Sequence, residues 1–159
     1  MNKMLLLLAG CLLANSSLAV CQGTASSGDF VGAWKLNTDK SSHSGIERES
    51  IQIDSQGDQY KFVYDRLGEN GTELNWWFVT DMKGECVPHT LVNGKPMSSN
   101  SCITRSSPRK FVDDTKFLHE EYEVSSDSRQ LIVHTKFKLQ DPGKPLPVVK
   151  SVFDRVANE

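Results

Sequence analysis

From Phe30 onward, apolar and polar residues alternate in short runs separated by turn residues. Residues 31–37 carry Trp34 and Leu36, and residues 47–54 place Ile51 and Ile53 on one face. Residues 59–65 set Tyr60, Phe62 and Tyr64 against Lys61 and Val63, and residues 73–81 set Leu74, Trp76 and Phe78 against Trp77 and Val79. Two shorter segments follow, 86–92 and 101–106. Residues 115–125 alternate Leu118, Glu120, Tyr122 and Val124 with Phe117, His119, Glu121 and Glu123. In residues 129–140, Leu131, Val133, Thr135, Phe137 and Leu139 oppose Ile132, His134, Lys136 and Lys138, and residues 148–156 close the series. A period of two marks a half-buried strand. The segments between, at 55–58, 67–71, 126–128 and 141–145, are rich in Gly, Asn, Asp, Ser and Pro, which favour turns. No segment sustains helical spacing for three turns. The pattern predicts one all-β domain over residues 30–157, an antiparallel up-and-down meander of eight or nine strands. One buried face and so many strands favour closure into a small barrel, which removes the exposed edges. A sandwich is the second choice.

The first twenty residues have a different pattern. A short start with Lys3 leads into an apolar run from Met4 to Ala14, then a polar and small stretch, Asn15-Ser16-Ser17-Leu18-Ala19. That order is the pattern of a secretory signal peptide, and the run is too short to span a bilayer. Residues 1–20 are therefore read as a leader and residues 21–29 as a flexible linker, giving an exported protein of the periplasm or extracellular space. Two processing routes remain open. Ser17-Leu18-Ala19 suits ordinary cleavage after Ala19. Leu18-Ala19-Val20-Cys21 resembles a lipobox, which would lipidate Cys21 and tether the domain to the outer membrane, although Val20 stands where a small residue is usual.

Export changes the meaning of the cysteines. Cys86 and Cys102 are the two inside the domain, and the turn signal Asn93-Gly94 lies midway between them. A hairpin about that turn sets them opposite each other, so they are predicted to form a disulfide. Charge adds little. Eighteen basic and 20 acidic side chains are scattered along the chain, which excludes the dense basic face that nucleic acid requires.

No catalytic motif stands out, since no Gly-x-Ser-x-Gly elbow is present. Nor do His43, His89, His119 and His134 show zinc-ligand spacing; His119 and Glu121 share a strand face that is expected to meet solvent. No cofactor is implied. Tyr60, Phe62, Trp76 and Tyr122 suit either the walls of an apolar cavity or a plain core. Glu120 falls in the Leu118, Tyr122 and Val124 register, so its carboxylate is expected to point inward, able to meet a ligand amine or to exchange a proton.

Two end motifs carry a resemblance. Phe30-Val31-Gly32-Ala33-Trp34-Lys35-Leu36 resembles the Gly-x-Trp opening of the lipocalin and fatty-acid-binding families, the calycins, and Val152-Phe153-Asp154-Arg155-Val156 resembles their closing strand. The longer form over residues 32–41, with the strand entry over residues 124–133, is closest to small exported bacterial lipocalin-like proteins. The resemblance implies a calycin-like barrel in which Arg155 packs over Trp34 at the closed end. It also implies a small, apolar ligand, and the residues expected to bind it are the inward-facing ones that alternation provides, Tyr60, Phe62, Trp76, Glu120 and Tyr122. The membrane would be met only through a lipid on Cys21. The rival is a non-enzymatic structural or protein-interaction module whose barrel is filled by its own side chains, and cavity size separates the two.

Overall fold

The computed structural model describes residues 30–42, 45–138 and 148–157. The leader, Cys21, the linker, His43, Leu139 and the turn at 141–145 lie outside the described residues.

Ten strands form a closed barrel: β1 (Gly32–Leu36), β2 (Ile46–Gln56), β3 (Gln59–Gly68), β4 (Glu73–Thr80), β5 (Lys83–Leu91), β6 (Pro96–Ser107), β7 (Lys110–Asp114), β8 (Leu118–Val124), β9 (Gln130–Phe137) and β10 (Val148–Arg155). Each strand pairs antiparallel with the next. β1 closes the ring on β10 through Trp34↔Arg155 and Leu36↔Phe153. A 3-10 turn, Thr38–Lys40, follows β1, and the Asn37 side chain caps it by accepting from the Lys40 N–H at 3.1 Å.

The meander and the closure are as the alternation predicts, but there is one strand more than eight or nine. The addition is β7. It has five residues, and of its two buried positions one is Phe111 and the other is an acid, Asp113. An acid on the inner face erases the period-two signal. β8 starts at Leu118 rather than at 115, because Thr115 Oγ1 accepts from the N–H groups of Phe117 and Leu118 at 3.3 and 3.0 Å and holds a tight turn.

The hairpin of β5 and β6 turns at Asn93-Gly94. Gly94 has φ +83°, a conformation that glycine adopts without strain, and its N–H donates to Leu91 O at 2.8 Å. Cys86 pairs in register with Cys102, and the two form a disulfide. The bridge closes a loop of 16 residues. Replacing both cysteines by serine is expected to lower stability by roughly 2–3 kcal/mol, read as a shift in the urea midpoint. An unchanged midpoint would show that the register holds without the link.

One end of the barrel is solid. Phe30, Trp34, Ile53, Phe62, Phe111 and Leu131 are all fully buried there. The Arg155 guanidinium lies 4.1 Å from the Trp34 ring centroid, a cation–π geometry. It also donates to Ser128 O at 2.8 Å and Val31 O at 3.0 Å, tying β10 to the chain on both sides. Trp34 Nε1 donates to Phe30 O at 2.8 Å. Gly32 makes the approach possible: its φ is +137°, and a Cβ there would sit 2.8 Å from Arg155 Nη1. The Gly-x-Trp spacing thus has a local cause, namely room for the guanidinium beside the indole it covers.

Candidate ligand cavity

At the opposite end the inner side chains do not meet. They leave a cavity of about 560 Å³, lined by residues of β2 through β10 and of the turn between β7 and β8. One wall is aromatic. Tyr64 and Trp76 are cross-strand partners on β3 and β4, with rings stacked at 4.6 Å and 4°. Phe78 stacks on His89 at 5.0 Å. The Trp76 indole N–H is buried and has no hydrogen-bond partner among the described residues.

The polar groups form three clusters. Glu49 on β2 is buried and takes both Nε (3.0 Å) and Nη2 (2.6 Å) of Arg66 on β3, while the guanidinium lies 5.0 Å from the Trp76 ring. Burial raises the Glu49 pKa against the opposing pull of Arg66. Glu120 accepts from Tyr122 Oη at 2.9 Å and from Thr135 Oγ1 at 2.8 Å. Asp113 accepts from the Cys102 N–H at 2.6 Å. Nearby, His89 has Ser101 Oγ at 2.8 Å from Nε2 and Ser99 Oγ at 2.9 Å from Nδ1. Burial lowers its pKa to about 4, so the ring is neutral at pH 7. Tyr64 and Tyr122 are pushed upward by burial and stay protonated.

Burial also lifts Asp113, to about 6, against hydrogen bonds from Ser101 and the Cys102 N–H, with the Glu120 charge adding to the rise. Because the folded value exceeds the ordinary 3.8, the native state holds a proton that the unfolded chain has released. Asp113 therefore stabilises the fold at low pH, and that stability is lost as pH rises from about 4 to about 6. Asp113→Asn is expected to flatten this fall when urea midpoints are followed across the range. A variant profile that matches the wild type would exclude Asp113 as its source.

Of the residues singled out from sequence, Trp76, Glu120 and Tyr122 line the cavity. Tyr60 and Phe62 do not, which corrects their reading as cavity walls. Phe62 is packed between Phe78 (4.9 Å) and Phe111 (5.6 Å), and Tyr60 lies against Phe30 (5.4 Å) with its hydroxyl accepting from Arg105 Nη1 at 2.6 Å. Both face inward, as alternation predicts, but at the depth of the solid end. His119 faces outward, between Glu121 (3.2 Å) and Asp114 (2.9 Å). Among the described residues no three His, Cys, Asp or Glu side chains are grouped to hold a metal ion.

Glu49, Arg66, His89 and Asp113 belong to the cavity and were not singled out from sequence. Two of them had a signal. Glu49 is in phase with Ile51 and Ile53, and Arg66 with Phe62 and Tyr64, so their inward direction was available from period two. Asp113 went unseen along with its strand, and His89 sits where the β5–β6 register shifts.

No family model matches the chain, and neither does any curated protein. Solved structures with the same barrel include zebrafish ileal bile acid-binding protein complexed with cholic acid, with 15% identity and TM-score 0.50 over 82% of this chain and 100% of that one. Echinococcus granulosus fatty-acid-binding protein 1 aligns at 16% and 0.51 over 80% and 98%. The REP1-NXSQ fatty acid transporter aligns at 14% and 0.52 over 81% and 97%. Likeness at these identities is one of fold, a calycin-like closed barrel.

Proposed function

We propose that this protein is an exported, lipocalin-like carrier that binds a small, apolar ligand in the cell envelope. The observation that carries the reading is the cavity itself. About 560 Å³ walled by stacked aromatic rings falls within the roughly 300–1,000 Å³ usual for small-molecule sites. A barrel filled by its own side chains would leave no such space. The similar barrels named for bile-acid and fatty-acid binding support the same reading. Trp76, Tyr122 and Glu120 are its contact residues, joined by Tyr64, Phe78 and Arg66. In this reading residues 1–20 direct export and Cys21 is the lipidation site, which would keep the cavity near the membrane.

Native mass spectrometry of the protein purified from its own envelope tests both parts. A co-purifying apolar molecule supports the carrier reading; a bare polypeptide that also fails to take up added dodecanol overturns it. In the same spectrum, a chain starting at Cys21 with added acyl mass supports tethering, and an unmodified N-terminus rejects it.

A further inference from the structure

The charge inside the cavity is unevenly distributed, and this bears on the kind of ligand it would hold. Asp113 and Glu120 are directly opposite each other across β7 and β8, and both line the cavity. Such cross-strand neighbours have Cβ atoms about 5 Å apart, where two like charges repel. Their hydrogen bonds come from neutral donors: Tyr122 and Thr135 for Glu120, and Ser101 and the Cys102 N–H for Asp113. The basic side chain lining the cavity, Arg66, gives its short contacts to a third carboxylate, Glu49. His89 is neutral, so it supplies no counter-charge. Among the described residues the lining thus carries three carboxylates against one guanidinium, beside the apolar rings of Tyr64, Trp76 and Phe78.

We infer that the cavity selects an apolar molecule bearing a protonated amine, with the ammonium between Asp113 and Glu120 and the apolar body along the aromatic wall. The inference rests on the carrier reading above and names its ligand class. It sets this cavity apart from barrels named for fatty acids, since a ligand carboxylate would meet the acidic pair.

Three probes with one chain length and different head groups test it: dodecylamine, dodecanol and dodecanoate, titrated calorimetrically below their micelle concentrations at pH 7. Dodecylamine is expected to bind about tenfold more tightly than dodecanol, and dodecanoate more weakly than either. In Asp113→Asn/Glu120→Gln the amine-to-alcohol ratio should fall to near one, and Glu120→Gln alone should lower it in part. A melting curve establishes that each variant is folded. Binding without an amine preference, or a preference that survives the double substitution, overturns the inference and leaves the carrier reading standing. If none of the three probes binds, both fall.

Discussion

Trp34→Ala is expected to destabilise the barrel by about 3–5 kcal/mol, the cost usual for emptying a fully buried large aromatic site. Three losses coincide there. The indole fills the solid end among Phe30, Ile53 and Leu131, and rigid strands on all sides leave little room for collapse into the void. The Phe30 carbonyl loses its 2.8 Å donor while buried. The Arg155 guanidinium loses the face that it covers at 4.1 Å. Because β1 is where the ring closes between β10 and β2, the damage falls on closure as well as on packing. Urea unfolding gives the measurement, and the slope should stay near the wild-type value if the denatured state is unaffected. Trp34→Phe keeps much of the volume and should cost markedly less. A loss below about 1 kcal/mol for the alanine variant would mean that this end is not what holds the barrel shut.

Arg66→Met should cost up to about 3.5 kcal/mol at pH 7 and far less near pH 4.5. Glu49 is 3% exposed, and Arg66 makes both of its short contacts. Without the guanidinium, the buried carboxylate stays in the fold by taking up a proton. That costs about 1.4 kcal/mol for each pH unit above the ordinary value, which sets the ceiling at pH 7. The direction follows from linkage. Burial already places the folded Glu49 pKa above its ordinary 4.5, and removing Arg66 raises it further. The native state then keeps a proton that the unfolded chain releases, so stability falls as pH rises above 4.5. Adding Glu49→Gln should restore most of the loss and remove the pH dependence. If Arg66→Met were equally damaging at pH 5 and pH 7, lost packing on Trp76 rather than the stranded charge would be the cause.

These two sites also show how much of the protein could be read in advance. Trp34 and Arg155 were expected as a pair only through the calycin resemblance of the two end motifs, whereas the meander was legible from period-two alternation. Cys86 and Cys102 were legible as cross-strand neighbours from their symmetry about Asn93-Gly94. Arg66 and Glu49 were only half legible. Their phase put them inside, yet two charges on the inner face of a barrel look like errors of register until they are seen paired.

The division has a physical basis. Alternation is a local property of the extended backbone, so the chain by itself determined which side chains turn inward and which elements follow one another wherever the alternation is clear, β7 and the turns flanking it excepted. Height within the barrel is not local. It depends on how ten strands stagger as they close, so only the tertiary structure decided that Phe62 is buried and Tyr60 partly buried at the solid end while Tyr64, two residues beyond Phe62 on the same face, borders the cavity. The same closure brought β7 beside β8 and set Asp113 against Glu120. That acidic pair, invisible while its strand was unseen, is what separates a cavity that is merely apolar from one with a preference for charge.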